Sequence, residues 1–470
     1  MEENIGEECG IFGGYGHPNV VEMTRRGLFQ LQHRGQESVG ISSADGYKCY
    51  HRRRVGLVSE QMTAKDCGGL KGHIATGHVR YSTAGGSDPR NIQPLPVLIR
   101  NEELYSSENG NICNYNELKT RLENDGSIFT TTTDVELIHH LIAKSKAQKL
   151  EDRIIKACNQ LNGAYSLLFM TDDSMIGVRD PRGIKPMILG KKDEAYFIAS
   201  ESPAFDINGI KYIRDVEPGE MLIFNKPANR TKDGYRSRMI TENRPDIAQC
   251  IFEMVYFRKP HSMLFAGENL TVWNTRVRMG EQLFDEHPVE ADIVGSVPDS
   301  GNNAAQGFAH KSGIMLGEVF VRNHYTGRTF ILPGNELRKE GVDIKLGVNR
   351  GAVAGKRVVI VDDSIVRGNT TKTQVSRLRE YGAKEIHVRI SCPPVRHPCF
   401  YGMDFPTSEE LIANKMLDEK NKVDVDQLAH YLGADSLGFL SLRGLLKSCN
   451  LMKTKFCSAC FDGKYPTFKK

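Results

Sequence analysis

Three stretches of this sequence carry residue types suited to chemistry. ECGIFGG, Glu8 to Gly14, sets a thiol, Cys9, between acidic residues and a run of glycines near the start of the chain. VVIVDDSIVRGNTT, Val358 to Thr371, is an apolar run that ends in two acids and passes into a loop of glycine and hydroxyl residues. FCSACFDGKYP, Phe456 to Pro466, holds a CxxC. A lone cysteine packs a core as readily as it attacks a carbonyl, so Cys9 means little by itself. Adjacent carboxylates at the end of a buried strand repel one another and call for a ligand or cation. Asp362 and Asp363 suit the vicinal hydroxyls of a ribose, or a Mg²⁺ with hydroxyl ligands. Ser364, Gly368, Thr370 and Thr371 follow, with free backbone N–H groups at the mouth of a helix, which is a phosphate cradle. The GxxxxGK[ST] spacing of a P-loop is absent.

The elements that must position these groups have two textures. RVVIVDD (Arg357 to Asp363) reads as a buried strand. A helix follows, with Val375 and Leu378 inward and Gly382 at its end, and EIHVRIS (Glu385 to Ser391) is the next strand. Strand, loop, helix, strand is the unit of a parallel α/β sheet, whose ligands bind at the carboxyl ends of the strands. Before residue 235 the runs are shorter. AYSLLFM (Ala164 to Met170), the turn TDDS and MIGVRD (Met175 to Asp180) read as a hairpin. After the threonines at 130 to 133, Val135, Leu137, Ile138, Leu141 and Ile142 share one helical face, with Asp134 at the helix start. The polar stretch Asn225 to Pro245 is the expected domain boundary.

Bulk composition narrows the classes. A chain of 470 residues is too long for one ordinary core. At 39% hydrophobic and 26% charged it is globular in type, and its apolar runs are too short to span a bilayer. The net charge of +4 carries no basic block, which argues against nucleic acid or an anionic membrane as partner. MEENIGEE lacks the basic and apolar regions of a signal peptide. Eleven cysteines without an export signal point to a reducing, cytoplasmic setting.

The Val358 to Thr371 stretch resembles the phosphoribosyl pyrophosphate (PRPP) signature of type I phosphoribosyltransferases. The resemblance implies that Asp362 and Asp363 face the ribose hydroxyls, and that Ser364, Gly368 and Thr370 wrap the 5′-phosphate. SVPDSG (Ser296 to Gly301) looks like the pyrophosphate-side loop of that family, with Ser300 near a Mg²⁺ shared with the two acids. NHYTGRTFI (Asn323 to Ile331) looks like its closing loop, with Arg328 as the cation for charge developing on pyrophosphate. Here Arg322 and His324 stand where Lys and Arg are common.

ECGIFGG is accompanied by LQHRGQESVGI (Leu31 to Ile41), GHVRYSTAG (Gly77 to Gly85) and ENGNICNYNEL (Glu108 to Leu118). Together they resemble the class II glutamine amidotransferases, which are N-terminal nucleophile hydrolases. The resemblance implies an αββα sandwich, removal of residues 1–8 as a propeptide, and Cys9 as the first residue of the mature chain. A free thiol has a pKa near ~8.5 and an α-amino group near ~7.7–8.0, so the freed amine can act as base for its own thiol. Asn109 and the Gly110 N–H would form the oxyanion hole, each donor worth about 2.7–4 kcal/mol. Arg80 would pair with the glutamine α-carboxylate, and Asp134 with the α-ammonium. Glu108 stands where the family usually has His, and Cys113 where Thr is common.

The two halves together resemble the amidophosphoribosyltransferases. That implies transfer of the glutamine amide nitrogen to PRPP, giving 5-phosphoribosylamine, glutamate and pyrophosphate at the entry of purine synthesis. It implies an apolar passage for ammonia, a homo-oligomer, commonly a tetramer, and inhibition by purine nucleotides. The expected organisation is a glutaminase domain over 9–235, a parallel-sheet phosphoribosyltransferase domain over 246–448 and a C-terminal segment over 449–470. Four thiolates, Cys250, Cys399, Cys457 and Cys460, suit a Cys₄ zinc or a [4Fe–4S] cluster, and spacing does not separate these. The resemblance favours the cluster, in a structural role, while Cys392 and Cys449 are spare thiols. Two rivals stand: a PRPP- or nucleotide-binding regulator with dead catalysis, and an ammonia-only synthase if residues 1–8 are retained.

Overall fold

Alternation of inward and outward side chains dominates the first half, and it folds into two stacked antiparallel sheets. The computed structural model describes residues 8–81, 88–226, 231–243, 245–264, 270–324, 346–403, 405, 407–449 and 455–467. Residues 1–7 of the expected propeptide, and Arg328, lie outside these.

One sheet has seven strands, in the order Lys211–Asp215, Ile188–Lys192, Ala195–Ala199, Glu8–Tyr15, Ile74–Tyr81, Ser38–Ala44 and Cys49–Val55. The other has six: Arg236–Met239, Glu220–Phe224, Met175–Arg179, Gly163–Met170, Glu102–Ile112 and Leu95–Ile99. Ile11, Ile74, Leu168, Met175 and Ile198 fill the space between the sheets. The helix Val20–Gln30 covers the seven-stranded sheet through Phe12, Leu28 and Val79. Helices Tyr115–Asn124, Asp134–Lys144 and Leu150–Cys158 cover the six-stranded sheet. This is the αββα sandwich. The expected hairpin is present, with Met170 opposite Met175, and all five apolar residues of the Asp134–Lys144 face are buried.

The polar stretch expected to be a boundary behaves differently. Arg236–Met239 pairs antiparallel with Glu220–Phe224 as the edge of the six-stranded sheet. The first domain therefore runs past residue 235. Polarity misled here because an edge strand facing solvent needs few apolar side chains; Arg236 and Arg238 instead reach Glu151 and Asp152 on a covering helix.

The second half is built on a four-stranded parallel sheet, Ile293–Ser296, Arg357–Asp362, Glu385–Ile390 and Ser436–Phe439. Val358 to Val361 are fully buried, as a parallel strand covered on both faces requires. Helices Val272–Glu286, Asn302–Ser312, Asn369–Glu380 and Leu442–Cys449 contribute to its core. Near the C-terminus, Phe456–Cys457 pairs in parallel with Gln249–Cys250. Among the described residues no helix is long and apolar enough to cross a membrane.

Candidate functional site

Cys9 and Arg80 are cross-strand partners, so their side chains leave the sheet on the same face. Ile11, two residues on, lies in the core between the sheets; by strand parity Cys9 and Arg80 point the same way. Cys9 is 1% exposed and Arg80 4%. Ser38 sits opposite Arg80 on the next strand.

Across the gap runs Glu102–Ile112. Its pairing with Leu95–Ile99 stops at Ser106, while pairing with Gly163–Met170 continues to Ile112. One edge is therefore open from residue 107 onward. Tyr165, the partner of Gly110, gives its carbonyl to Asp180 on its far side. Gly110–Tyr165 is thus a non-hydrogen-bonded pair, and residues 108, 110 and 112 turn their peptide groups to the open edge. Glu108 N–H donates to Gln93 Oε1 at 2.7 Å, and Ile112 N–H donates to Asp134 Oδ2 at 2.7 Å. Gly110 N–H lies between them, facing the same edge without a described partner. Glycine is required there, because a Cβ would stand 2.0 Å from the carbonyl of Ala164.

Asn109 Nδ2 leans on Ser200 Oγ at 3.5 Å, and that hydroxyl also accepts Ile11 N–H at 3.1 Å. A bond that long is easily exchanged for one to a developing oxyanion. His78, cross-strand from Ile11, joins its Nε2 to the Glu108 carbonyl at 2.9 Å. Burial pushes its pKa down to about 3, so the ring is neutral and Nε2 carries the proton. Asp134 is the first residue of its helix, with Thr133 as N-cap; its carboxylate, two residues from Gly110, faces the open edge. The structure thus gathers Cys9, Arg80, Asn109, Gly110 and Asp134 around one end of the sandwich.

The acid pair ends a strand as expected. The strand stops at Asp362, and Asp363 N–H turns back onto Asp362 Oδ1 at 2.9 Å. Burial, then the charge of Asp363, push the Asp362 pKa well above the usual carboxylate range. Ser364 Oγ donates to Asp363 at 2.5 Å. Gly368, at φ +79°, is the N-cap of Asn369–Glu380, and no acidic residue occupies the first turn of that helix. The Ser296 to Gly301 loop lies beside the acids: a Cβ on Gly301 would stand 2.4 Å from the Val361 carbonyl and 3.2 Å from Asp362 Cα. Ser300 belongs to that loop, and Arg322 pairs with its Asp299.

The cysteines at the C-terminal junction also come together. Cys250 and Cys457 are neighbours in the parallel ladder. Burial and then the charges of Cys250, Cys399 and Cys457 push the Cys460 thiol well up. Among the described residues no three His, Cys, Asp or Glu side chains converge on a point that would hold one metal ion. This junction is stitched to the sandwich: Asn111 Nδ2 and Cys113 Sγ both donate to the Phe400 carbonyl, at 2.9 and 3.2 Å, and buried Lys185 donates to the Gly402 carbonyl at 2.8 Å.

Sequence reasoning passed over a second link between the halves. Arg34, fully buried, donates to Glu201 in the sandwich and to Glu253 at 2.6 Å on the π-helical turn Glu253–Phe257. Its guanidinium also lies 4.7 Å from the centre of the Phe257 ring. The same segment touches the Cys9–Arg80 pair, since Gly35 packs against the Arg80 backbone and Glu37 N–H donates to the Arg80 carbonyl at 2.9 Å. Arg34 and His78 sit within the motifs, where single residues carry no signal for which contacts they make, and Gln93 and Ser200 lie outside them.

The fold and these two sites define a glutamine amidotransferase sandwich joined to a phosphoribosyltransferase sheet, and comparison with known proteins agrees. A family described as glutamine amidotransferase domain matches residues 78–206. The amidophosphoribosyltransferase of Bacillus subtilis is 44% identical over 470 residues, covering 99% of this chain and 95% of that protein. A solved glutamine PRPP amidotransferase from B. subtilis, complexed with ADP and GMP, superposes with a TM-score of 0.88 at 43% identity, over 98% of each chain. A second solved structure, described as the allosteric regulatory enzyme of purine biosynthesis, superposes with a TM-score of 0.90 at 44% identity, over 98% of this chain and 96% of that one. The chain belongs to the amidophosphoribosyltransferase family.

Proposed function

We propose that the chain carries out its family's reaction with the residues gathered above: PRPP, glutamine and water give 5-phosphoribosylamine, glutamate and pyrophosphate. One observation carries this reading. The buried cross-strand pair Cys9–Arg80 faces the sheet whose strand Glu102–Ile112 turns Gly110 N–H to its edge, between the N–H groups held by Gln93 and by Asp134. Removal of residues 1–8 frees the Cys9 amine, which takes the thiol proton. Arg80 grips the α-carboxylate of glutamine and Asp134 its α-ammonium, setting the side-chain amide over Cys9. Asn109 and Gly110 N–H receive the oxyanion, ammonia leaves, and water releases glutamate from the thioester.

In the second half, Asp362 and Asp363 hold the ribose hydroxyls, and Ser364, Gly368 and Thr370 wrap the 5′-phosphate. Burial of two adjacent acids suits a Mg²⁺ held by Asp362, Asp363 and Ser300, since that ion keeps several waters and needs few protein ligands. Bound there, it neutralises charge on pyrophosphate. Arg328 would add a second positive charge against the developing pyrophosphate.

Cys250, Cys399, Cys457 and Cys460 hold a [4Fe–4S] cluster in a structural role. A single zinc needs four sulfurs at about 2.3 Å from one ion, whereas a cluster gives each cysteine its own iron and accepts thiols set farther apart. What supports a site here is that Cys250, Cys399 and Cys457 lie near enough to Cys460 for their charges to raise its thiol. The B. subtilis relative binds ADP and GMP, which supports purine nucleotides as inhibitors, acting on a homo-oligomer, most simply a tetramer. Free cysteines throughout support a reducing, cytoplasmic setting.

Pyrophosphate release from PRPP and Mg²⁺, by anaerobically purified protein with glutamine as sole nitrogen source, tests the reading. Glutamate formed in equal amount is the expected result. No release with glutamine or with ammonium would leave the nucleotide-sensing rival; release with ammonium alone would mean that residues 1–8 were retained.

A further inference from the structure

The open edge beside Gly110 is held from a direction that the reaction scheme does not use. Gln93 is 1% exposed and both ends of its amide are engaged. Oε1 accepts Glu108 N–H at 2.7 Å, and Nε2 donates to Thr133 Oγ1 at 3.1 Å. Glu108 is two residues before Gly110 on the same edge, and Thr133 is the N-cap directly before Asp134. Asn91, two residues back, repeats the grip, exchanging bonds with Thr132 at 2.8 and 3.1 Å. The Gln93 backbone is itself fixed, since a Cβ on Gly40 would lie 2.2 Å from its carbonyl oxygen.

We infer that Gln93 is a positioning residue for the glutaminase half-reaction, setting the Gly110 oxyanion donor and the Asp134 carboxylate at a fixed separation. The inference rests on the glutaminase reading above. Its physical basis is that both groups act at the strand edge through their neighbours. Gly110 N–H is aimed by the peptide at 108, whose carbonyl His78 holds and whose N–H Gln93 holds. Asp134 is aimed by the helix start that Thr133 caps. One side chain spans the two, and catalysis by oriented donors loses much of its effect for displacements near 1 Å.

Two variants test it. Gln93→Met keeps the reach and removes both bonds. Gln93→Glu keeps the acceptor for Glu108 N–H and can take a hydrogen bond from the Thr133 hydroxyl. With glutamine, Gln93→Met is expected to lose about 30-fold in kcat/KM, through a lower kcat and a higher KM together. Gln93→Glu is expected to recover most of kcat, and the ammonium-driven reaction to stay within twofold of the parent in both. A Gln93→Met protein within threefold of the parent with glutamine overturns the inference. So does a Gln93→Glu protein as weak as Gln93→Met, or a parallel fall in the ammonium reaction, which marks a general structural role. A parent protein that turns over no glutamine fails the glutaminase reading first and takes this inference with it.

Discussion

The two halves of the molecule build their sites in opposite ways. The proposed glutamine site is assembled from separate strands and a helix start: Cys9 and Arg80 from one sheet, Asn109 and Gly110 from the other, and Asp134 from a helix that covers the six-stranded sheet. The proposed phosphoribosyl site is largely one loop, Asp362 to Thr370, between a strand and a helix. Precision in the first comes from sheet register, so any shift of one residue turns a catalytic group to the wrong face. In the second it comes from local backbone and from two adjacent buried carboxyls, one of which, Asp362, is pushed well above the usual carboxylate range. The first site is therefore expected to be sensitive to distant packing, and the second to charge.

The largest expected effect lies at the nucleophile. Cys9→Ala is expected to abolish glutamine-dependent phosphoribosylamine synthesis while leaving the ammonium reaction near the parental rate, measured by pyrophosphate release with each nitrogen source. Retained glutamine turnover would overturn the assignment of Cys9. Asp363→Asn inverts the pattern. It is expected to lower both reactions together by about 100-fold, because the lost charge acts on PRPP, which the two reactions share. A glutamine-specific loss would mean that the acids serve the wrong half.

Between the sites, the buried Arg34 cluster sharpens the comparison as a matter of stability. Burial alone would raise the Glu253 and Glu201 pKa values, but Arg34, joined by His33 and Ser262 at Glu201 and by Arg258 and Lys185 at Glu253, holds both below the usual range, Glu201 far below. A carboxylate with a depressed folded pKa contributes stability above its unfolded value and loses it as pH falls through the folded one. Glu253→Gln is therefore expected to destabilise the protein at pH 7 by about 3 kcal/mol. In denaturant titrations the difference from the parent should persist to near pH 4.5 and shrink below it. A constant difference across that range would mean that charge is not what the cluster contributes.

How much of this was legible in the sequence follows the same contrast. The contiguous phosphoribosyl loop could be read directly, because VVIVDDS places its acids at a strand end through local pattern alone. The glutamine residues were readable as separate motifs, since each lies in a short polar run. That Arg80 lies beside Cys9, or that Gln93 braces Gly110, depends on which strands pair, and pairing is a long-range outcome with no local mark. The same reason hides Arg34, whose partners Glu201 and Glu253 are distant in sequence. Arg236–Met239 was missed for the opposite reason, since an exposed edge strand carries the composition of a linker.

The smallest expected effect tests whether the junction cysteines matter as thiols or as shape. Cys113 lies beside the glutamine site and donates to the Phe400 carbonyl, next to Cys399. Burial pushes its pKa up to about 12, so at neutral pH it is a thiol and a donor. A serine hydroxyl offers the same donor in a slightly smaller volume. Cys113→Ser is thus expected to keep glutamine and ammonium turnover within about twofold, because only one neutral hydrogen bond is exchanged for another. Iron content per chain should be unchanged. Loss of iron in that variant would make Cys113 a ligand and displace one of the four cysteines. Loss of glutamine turnover alone would show that the thiol's exact reach, through Asn111 and Gly110, sets the geometry of the oxyanion strand from the far side of the domain junction.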